Sequence, residues 1–172
     1  LRRLHAKNPK EGSRQLLFFY RALMIIGLAT AALAIYQHFT GFFVPHAFWA
    51  NRNTYRVTAW YGFPNGVGLF LAPIAVLSFF SLKKAALSFW NTRSVPKLVG
   101  LVLSSALTAS FLLAIWYAKS TGAMIGIAGG LGVLLLWNKK TRWPAAGLAF
   151  LCFMTLLILP ASNPVRQELF FA

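Results

Sequence analysis

Long apolar stretches divide this chain, and its basic residues gather in alternate gaps between them. The stretches predict helices near 16–39, 61–82, 98–117, 120–137 and 144–159. An α-helix rises about 1.5 Å per residue, so ~20 residues cross a hydrocarbon core of ~30 Å. The first three stretches meet that length outright. The last two are short and need interfacial flanks, a thinned bilayer or burial against neighbours. The pattern predicts an all-α, polytopic integral membrane protein with about five transmembrane helices. A basic segment at 1–15 precedes them.

Cytoplasmic loops of membrane proteins keep Lys and Arg, and that bias sets topology. With the N-terminus inside, the inner segments carry Arg2, Arg3, Lys7, Lys10 and Arg14, then Lys83, Lys84, Arg93 and Lys97, then Lys139, Lys140 and Arg142. The outer segments carry only Arg52, Arg56, Lys119 and Arg166. Arg21 falls near the inner end of the first stretch, where a long side chain can snorkel to the headgroups.

Seventeen Lys and Arg residues against two acids give a formal charge of +15. In a soluble protein that balance points to nucleic acid. Here 58% of residues are hydrophobic and the cations cap apolar spans. Their expected partners are anionic membrane lipid or an anionic substrate, with no nucleic acid. Cys152 lies alone in the fifth stretch and reads as a small packing residue. The chain begins at Leu1 and ends at Ala172 just after a polar turn, which reads as a central fragment of a larger helical bundle, truncated at its C-terminus.

Residues 40–60 form the longest non-helical stretch, dense in aromatics such as Phe42, Phe43, Phe48, Trp49, Tyr55 and Trp60. Rings at this density suit headgroup depth, so the segment is expected to lie on the outer surface. Gly62-Phe63-Pro64-Asn65-Gly66 opens the second helix, where broken backbone could line a polar cavity. Lys83–Lys97 reads as a short amphipathic piece. Ser104, Ser105, Thr108 and Ser110 in the third helix are expected to bond to their own backbone or to a neighbouring helix. Lys119-Ser120-Thr121-Gly122 is a very short turn, so the third and fourth helices form a hairpin. Gly122, Gly126 and Gly130 recur every four residues, a face of small residues that another helix can approach closely.

Glu11 and Glu168 fall on opposite sides of the membrane in this topology, so no carboxylate pair can do acid–base work here. There is no phosphate-cradling glycine loop and no spaced Cys/His metal set. His5, His38 and His46 are scattered. His38 and His46 could approach each other at the outer interface, where two histidines make a metal site conceivable, although interfacial packing explains both. What remains is a cationic outer face. Arg52, Arg56 and Lys119 stand where the topological bias disfavours them. Headgroup anchoring accounts for any one of them. The functional reading is a pocket for an anionic group such as a diphosphate, and Arg suits it because a guanidinium fork grips phosphate oxygens in pairs. Arg56 is the leading candidate, nine residues before Asn65.

Arg56-Val57-Thr58-Ala59-Trp60-Tyr61-Gly62-Phe63-Pro64-Asn65 resembles the Arg…Gly-Phe-x-Pro-Asn signature of the O-antigen ligase and polymerase family. Tyr36-Gln37-His38-Phe39-Thr40-Gly41 is similar to the turn that often precedes it, and Lys119-Ser120-Thr121-Gly122-Ala123-Met124-Ile125-Gly126 to its Ser-Arg-Gly-Ala hairpin. The resemblance spans most of the chain from Leu16 onward. It implies a bacterial inner-membrane glycosyltransferase with a cytoplasmic N-terminus, active in cell-surface polysaccharide assembly. Such proteins move a glycan from undecaprenyl diphosphate to a glycan or lipid A core acceptor, without nucleotide sugar, so the resemblance implies no metal and no cofactor. Arg56 matches the position that binds the carrier diphosphate, with Arg52 and Lys119 as further cations. Pro64, Asn65, Gly122, Gly126 and Gly130 fall at structural positions. The chain departs from the pattern at Thr121, where the family often has Arg, and in lacking the large outer loop that supplies a catalytic His; Asn163–Leu169 is similar to that loop's start. No catalytic residue is assigned, and this segment is not expected to act alone. A transporter or flippase subunit, with the glycine face as its moving seam, is the alternative from another class. A membrane scaffold that docks a partner helix on that face is the third.

Overall fold

A computed structural model describes residues 9–51, 54–137 and 141–158. Those residues form helices and connecting turns, with no strand among them: α1 Pro9–Thr40, α2 Ala47–Ala50, α3 Pro64–Thr92, α4 Val95–Tyr117, α5 Thr121–Trp137 and α6 Arg142–Ile158. Three helices, α1, α3 and α4, are long and apolar enough to cross a membrane. That is the character of an integral membrane protein. α5 and α6 are 17 residues each, about 26 Å at the helical rise, and short of a full crossing.

The helices outrun the apolar stretches because polar residues also favour helix. α1 starts at Pro9, so the second half of the basic segment is its first two turns. α3 starts later than expected, at Pro64, whose fixed φ suits a first turn. Phe63 before it is extended, and Tyr61 N donates to Thr58 O in a turn (2.9 Å). The Gly62–Gly66 stretch is thus an ordinary helix start. α3 then runs through Lys83-Lys84-Ala85-Ala86-Leu87, all good helix formers, to Thr92. The amphipathic piece expected at Lys83–Lys97 is the end of one helix and the start of the next. Arg93 closes α3 in a left-handed conformation (φ 50°), donating its N–H to Phe89 O at 2.7 Å.

The chain divides into two compact units, Leu1–Ile127 and Ala128–Ala172. In the first, α1, α3 and α4 pack against one another. Their shared core holds Ala31, Ala34, Leu71, Ile74, Ala75, Phe111, Ala114 and Ile115, each buried. Outward faces carry exposed apolar residues, among them Leu16, Phe18, Ile25, Leu69, Phe80, Leu103 and Trp116. A helix face of that kind is stable in lipid and costly in water. Two of the four Ser and Thr hydroxyls of α4 bond within the helix as expected, Thr108 to Ser104 O at 2.9 Å and Ser110 to Leu107 O at 2.8 Å. In the second unit, Thr141 Oγ1 donates to Leu135 O at 2.7 Å and the Arg142 guanidinium sits over the Trp143 ring.

The glycines that admit a close neighbour differ from those the spacing singled out. Beside Gly122 and Gly126 there is open space. At Gly68 on α3, an added Cβ would collide with the Ser120 side chain and come within 2.7 Å of the Ala123 Cβ. The start of α5 therefore lies directly on the start of α3, and only glycine fits at the crossing.

Candidate functional site

The first unit gathers its polar groups where α1 and α4 end and α3 and α5 begin. Gln37 organises this end. It stands one turn before the close of α1 and is fully buried. A primary amide has two N–H donors and a carbonyl oxygen with two lone pairs. Nε2 donates to Phe43 O (2.6 Å) and Ala59 O (2.8 Å). Oε1 accepts from Thr58 N (3.0 Å) and Ala59 N (2.8 Å). The Gln37 main-chain carbonyl accepts from Gly41 N (2.8 Å) and from the Tyr55 hydroxyl. Gly41, at φ 73°, is the left-handed residue that terminates α1.

The segment tied down in this way is the aromatic stretch after α1. It is partly buried and partly exposed. Val57, Thr58 and Ala59 are fully buried, while Phe42, Phe43 and Phe48 remain exposed. α2 occupies its middle, capped by His46 Nδ1, which accepts from Phe48 N (3.2 Å). Burial pushes the Tyr55 phenol above its ordinary pKa, so it stays protonated as a donor.

Arg56, between these anchors, reaches across to the α4–α5 turn. Its Nε donates to Ala118 O (2.9 Å) and its Nη2 to Lys119 O (2.5 Å). Nη2 also donates to Asn65 Oδ1 (3.3 Å), and the guanidinium lies 5.5 Å from the Trp49 ring centroid. Carbonyls at a helix C-terminus lack intrahelical partners and carry partial negative charge, so a cation there is favourable. Arg56 is thus first a cap on α4. Lys119 adopts φ 50°, and its side chain is exposed. Left-handed backbone costs a residue with a Cβ roughly 1–2 kcal/mol. Phe43, Ala59 and Lys119 all adopt it, and each has its carbonyl held, the first two by Gln37 and the third by Arg56.

A cleft of about 650 Å³ opens beside this network, lined by His38, Tyr55, Trp116, Tyr117, Lys119, Thr121 and Met124. The His38 ring stacks on Tyr117 with 3.6 Å between centroids and 3° between planes. Four of its lining residues are aromatic or imidazole rings, and Lys119 and Thr121 line it at the start of α5, where the dipole of a helix N-terminus favours an anion. Such a cleft can hold an anionic group against a flat apolar body.

Of the residues singled out from sequence, Arg56, Pro64, Asn65 and Lys119 meet at this end. Arg52, His5 and the 159–172 tail lie outside the described residues. Gly122 and Gly126 follow on α5, and Gly130 falls in the second unit. His38 and His46 do separate work, one in the cleft wall and one as a helix cap. Sequence reasoning missed the part played by Gln37. Its signal was a lone amide near the end of an apolar helix, which must find partners once water is excluded. No family model matches the chain, and no curated protein or solved structure is significantly similar to it.

Proposed function

We propose that this chain belongs to a membrane glycosyltransferase of the O-antigen ligase and polymerase kind, acting on a glycan carried by undecaprenyl diphosphate. One observation supports the reading most directly. Arg56 joins the motif position Asn65 to the main chain of Lys119, more than 50 residues further on, and Lys119 lines a cleft of about 650 Å³ together with His38, Tyr55, Trp116 and Tyr117. In this reading the Lys119 ammonium and the α5 N-terminus hold the diphosphate, and Arg56 holds the turn that presents them. Stabilising that leaving group as the anomeric bond breaks is electrostatic catalysis, strong where water is scarce. The acceptor is a glycan or lipid A core, and no residue of the cleft is given the role of base. α5 and α6 complete five spans in a bacterial inner membrane, the N-terminus is cytoplasmic, and the cleft opens outward.

The test is glycan transfer by the full-length protein in membranes. Lys119→Gln is expected to lower transfer at least tenfold, with normal insertion, because Lys119 is exposed and is held through its main-chain N–H and carbonyl, which the substitution keeps. Arg56→Ala is expected to abolish it. Wild-type transfer by Lys119→Gln overturns the diphosphate role of this cleft.

A further inference from the structure

We propose that Gln37 is a latch that positions the cleft: its amide holds the 43–59 segment in its left-handed path and thereby sets Arg56 on the α4–α5 turn. The inference concerns how the site is built and does not need the glycan-transfer reading.

The geometry runs in one direction. Both flanks of Arg56 are tied to Gln37, Tyr55 through its hydroxyl on the Gln37 carbonyl, and Thr58 and Ala59 through the side-chain amide. Arg56 in turn holds the carbonyls of Ala118 and Lys119. Lys119 and Tyr55 both line the cleft. The contacts therefore pass from α1 through the loop to the α4–α5 turn. Phe43 and Ala59 sit in backbone that disfavours a Cβ, and the Gln37 amide donates to the carbonyl of each. Without those two hydrogen bonds the segment has reason to leave that path. No other side chain of similar size offers two donors and two acceptors at that point. A leucine at 37 keeps the volume and loses all of them. A glutamate keeps the shape. Ionised, it can accept from Thr58 N and Ala59 N, but it turns a bare oxygen toward the Phe43 and Ala59 carbonyls. Protonated, it recovers one donor. Burial raises a carboxyl pKa, so that recovery falls in an accessible pH range.

The experiment uses the whole chain in membrane vesicles. Cys152 is replaced by Ala, and a single cysteine at Val57→Cys reports on the fully buried loop. A bulky membrane-impermeant maleimide is the probe. Rates are normalised at each pH to an exposed Phe42→Cys reference, which removes the thiolate's own pH dependence. Ala114→Cys in the helical core reports on global loosening. Gln37→Leu is expected to raise labelling at 57 at least tenfold while 114 stays protected. Gln37→Glu is expected to label quickly at pH 8 and to regain protection severalfold toward pH 5.5. Adding Ala59→Gly to Gln37→Leu is expected to recover part of the protection, since glycine takes positive φ freely. Unchanged protection in Gln37→Leu overturns the proposal. So does equal loss at 57 and 114, which makes Gln37 a general packing residue. A pH-independent Gln37→Glu, or no rescue by Ala59→Gly, removes the link between the amide and the left-handed path.

Discussion

At the scale of single residues, two side chains do work that their types make specific. Arg56 bonds two carbonyls through different nitrogens of one planar fork. A lysine at that position is a single point donor and cannot span both. Arg56→Lys should therefore lose part of what Arg56→Ala loses. Hydrogen bonds to a charged group contribute about 1.5–3 kcal/mol where they are shielded. Arg56 is half-exposed, so about 1–2 kcal/mol is expected for Arg56→Ala, read as a lowered Tm in detergent. Tyr55 gives a pH signature. Its folded pKa is raised, so its contribution is complete below the ordinary phenol value of 10.0 and declines as pH rises through the folded value. Wild-type Tm is expected to fall on titration upward from pH 10. Tyr55→Phe should have a lower Tm at neutral pH and lose that alkaline slope.

At the scale of helices, the close approach of α3 and α5 rests on Gly68. Gly68→Val is expected to destabilise by about 1–3 kcal/mol through overpacking against Ser120 and Ala123. Gly126→Ala faces open space and should leave Tm unchanged or higher, since alanine is the better helix former. A thermal melt of both variants separates the two glycines. The contrast also marks what the sequence carried. Helix type and order were legible, because apolar runs of this length have few other solutions. Helix ends were not, because Lys83-Lys84-Ala85-Ala86-Leu87 continues a helix past its apolar part. The glycine every fourth residue on α5 was visible, yet what faces it is a property of packing. Arg56 and Asn65 were legible as a pair, nine residues apart. Their meeting with the Lys119 carbonyl was not, because the link is a side chain crossing to another element's main chain. Gln37 was hidden for the same reason, with most of its partners lying more than 15 residues away.

At the scale of the whole molecule, the exposed apolar faces of α1, α3 and α4 predict a chain that stays in the membrane pellet through an alkaline carbonate wash. Reporter fusions at Asn51, Ser94, Lys119 and Thr141 are expected to alternate outside, inside, outside, inside. A cytoplasmic signal at Lys119 would reverse the proposed orientation. The three long helices also differ in reach. α1 and α3, at 32 and 29 residues, measure ~48 and ~43 Å, whereas α4, at 23 residues, measures ~35 Å. Only α4 matches an ordinary hydrocarbon slab of ~30 Å closely; the others overshoot by about two to three turns, and on α3 those turns carry Lys83 and Lys84, with Arg93 over the Trp90 ring just beyond them. A bilayer that thickens or thins can be met by sliding these charged turns in or out of the headgroups, while α4 sets the gauge. The protein should accordingly tolerate lipids of longer acyl chain better than shorter ones, which would strip cover from all three helices at once.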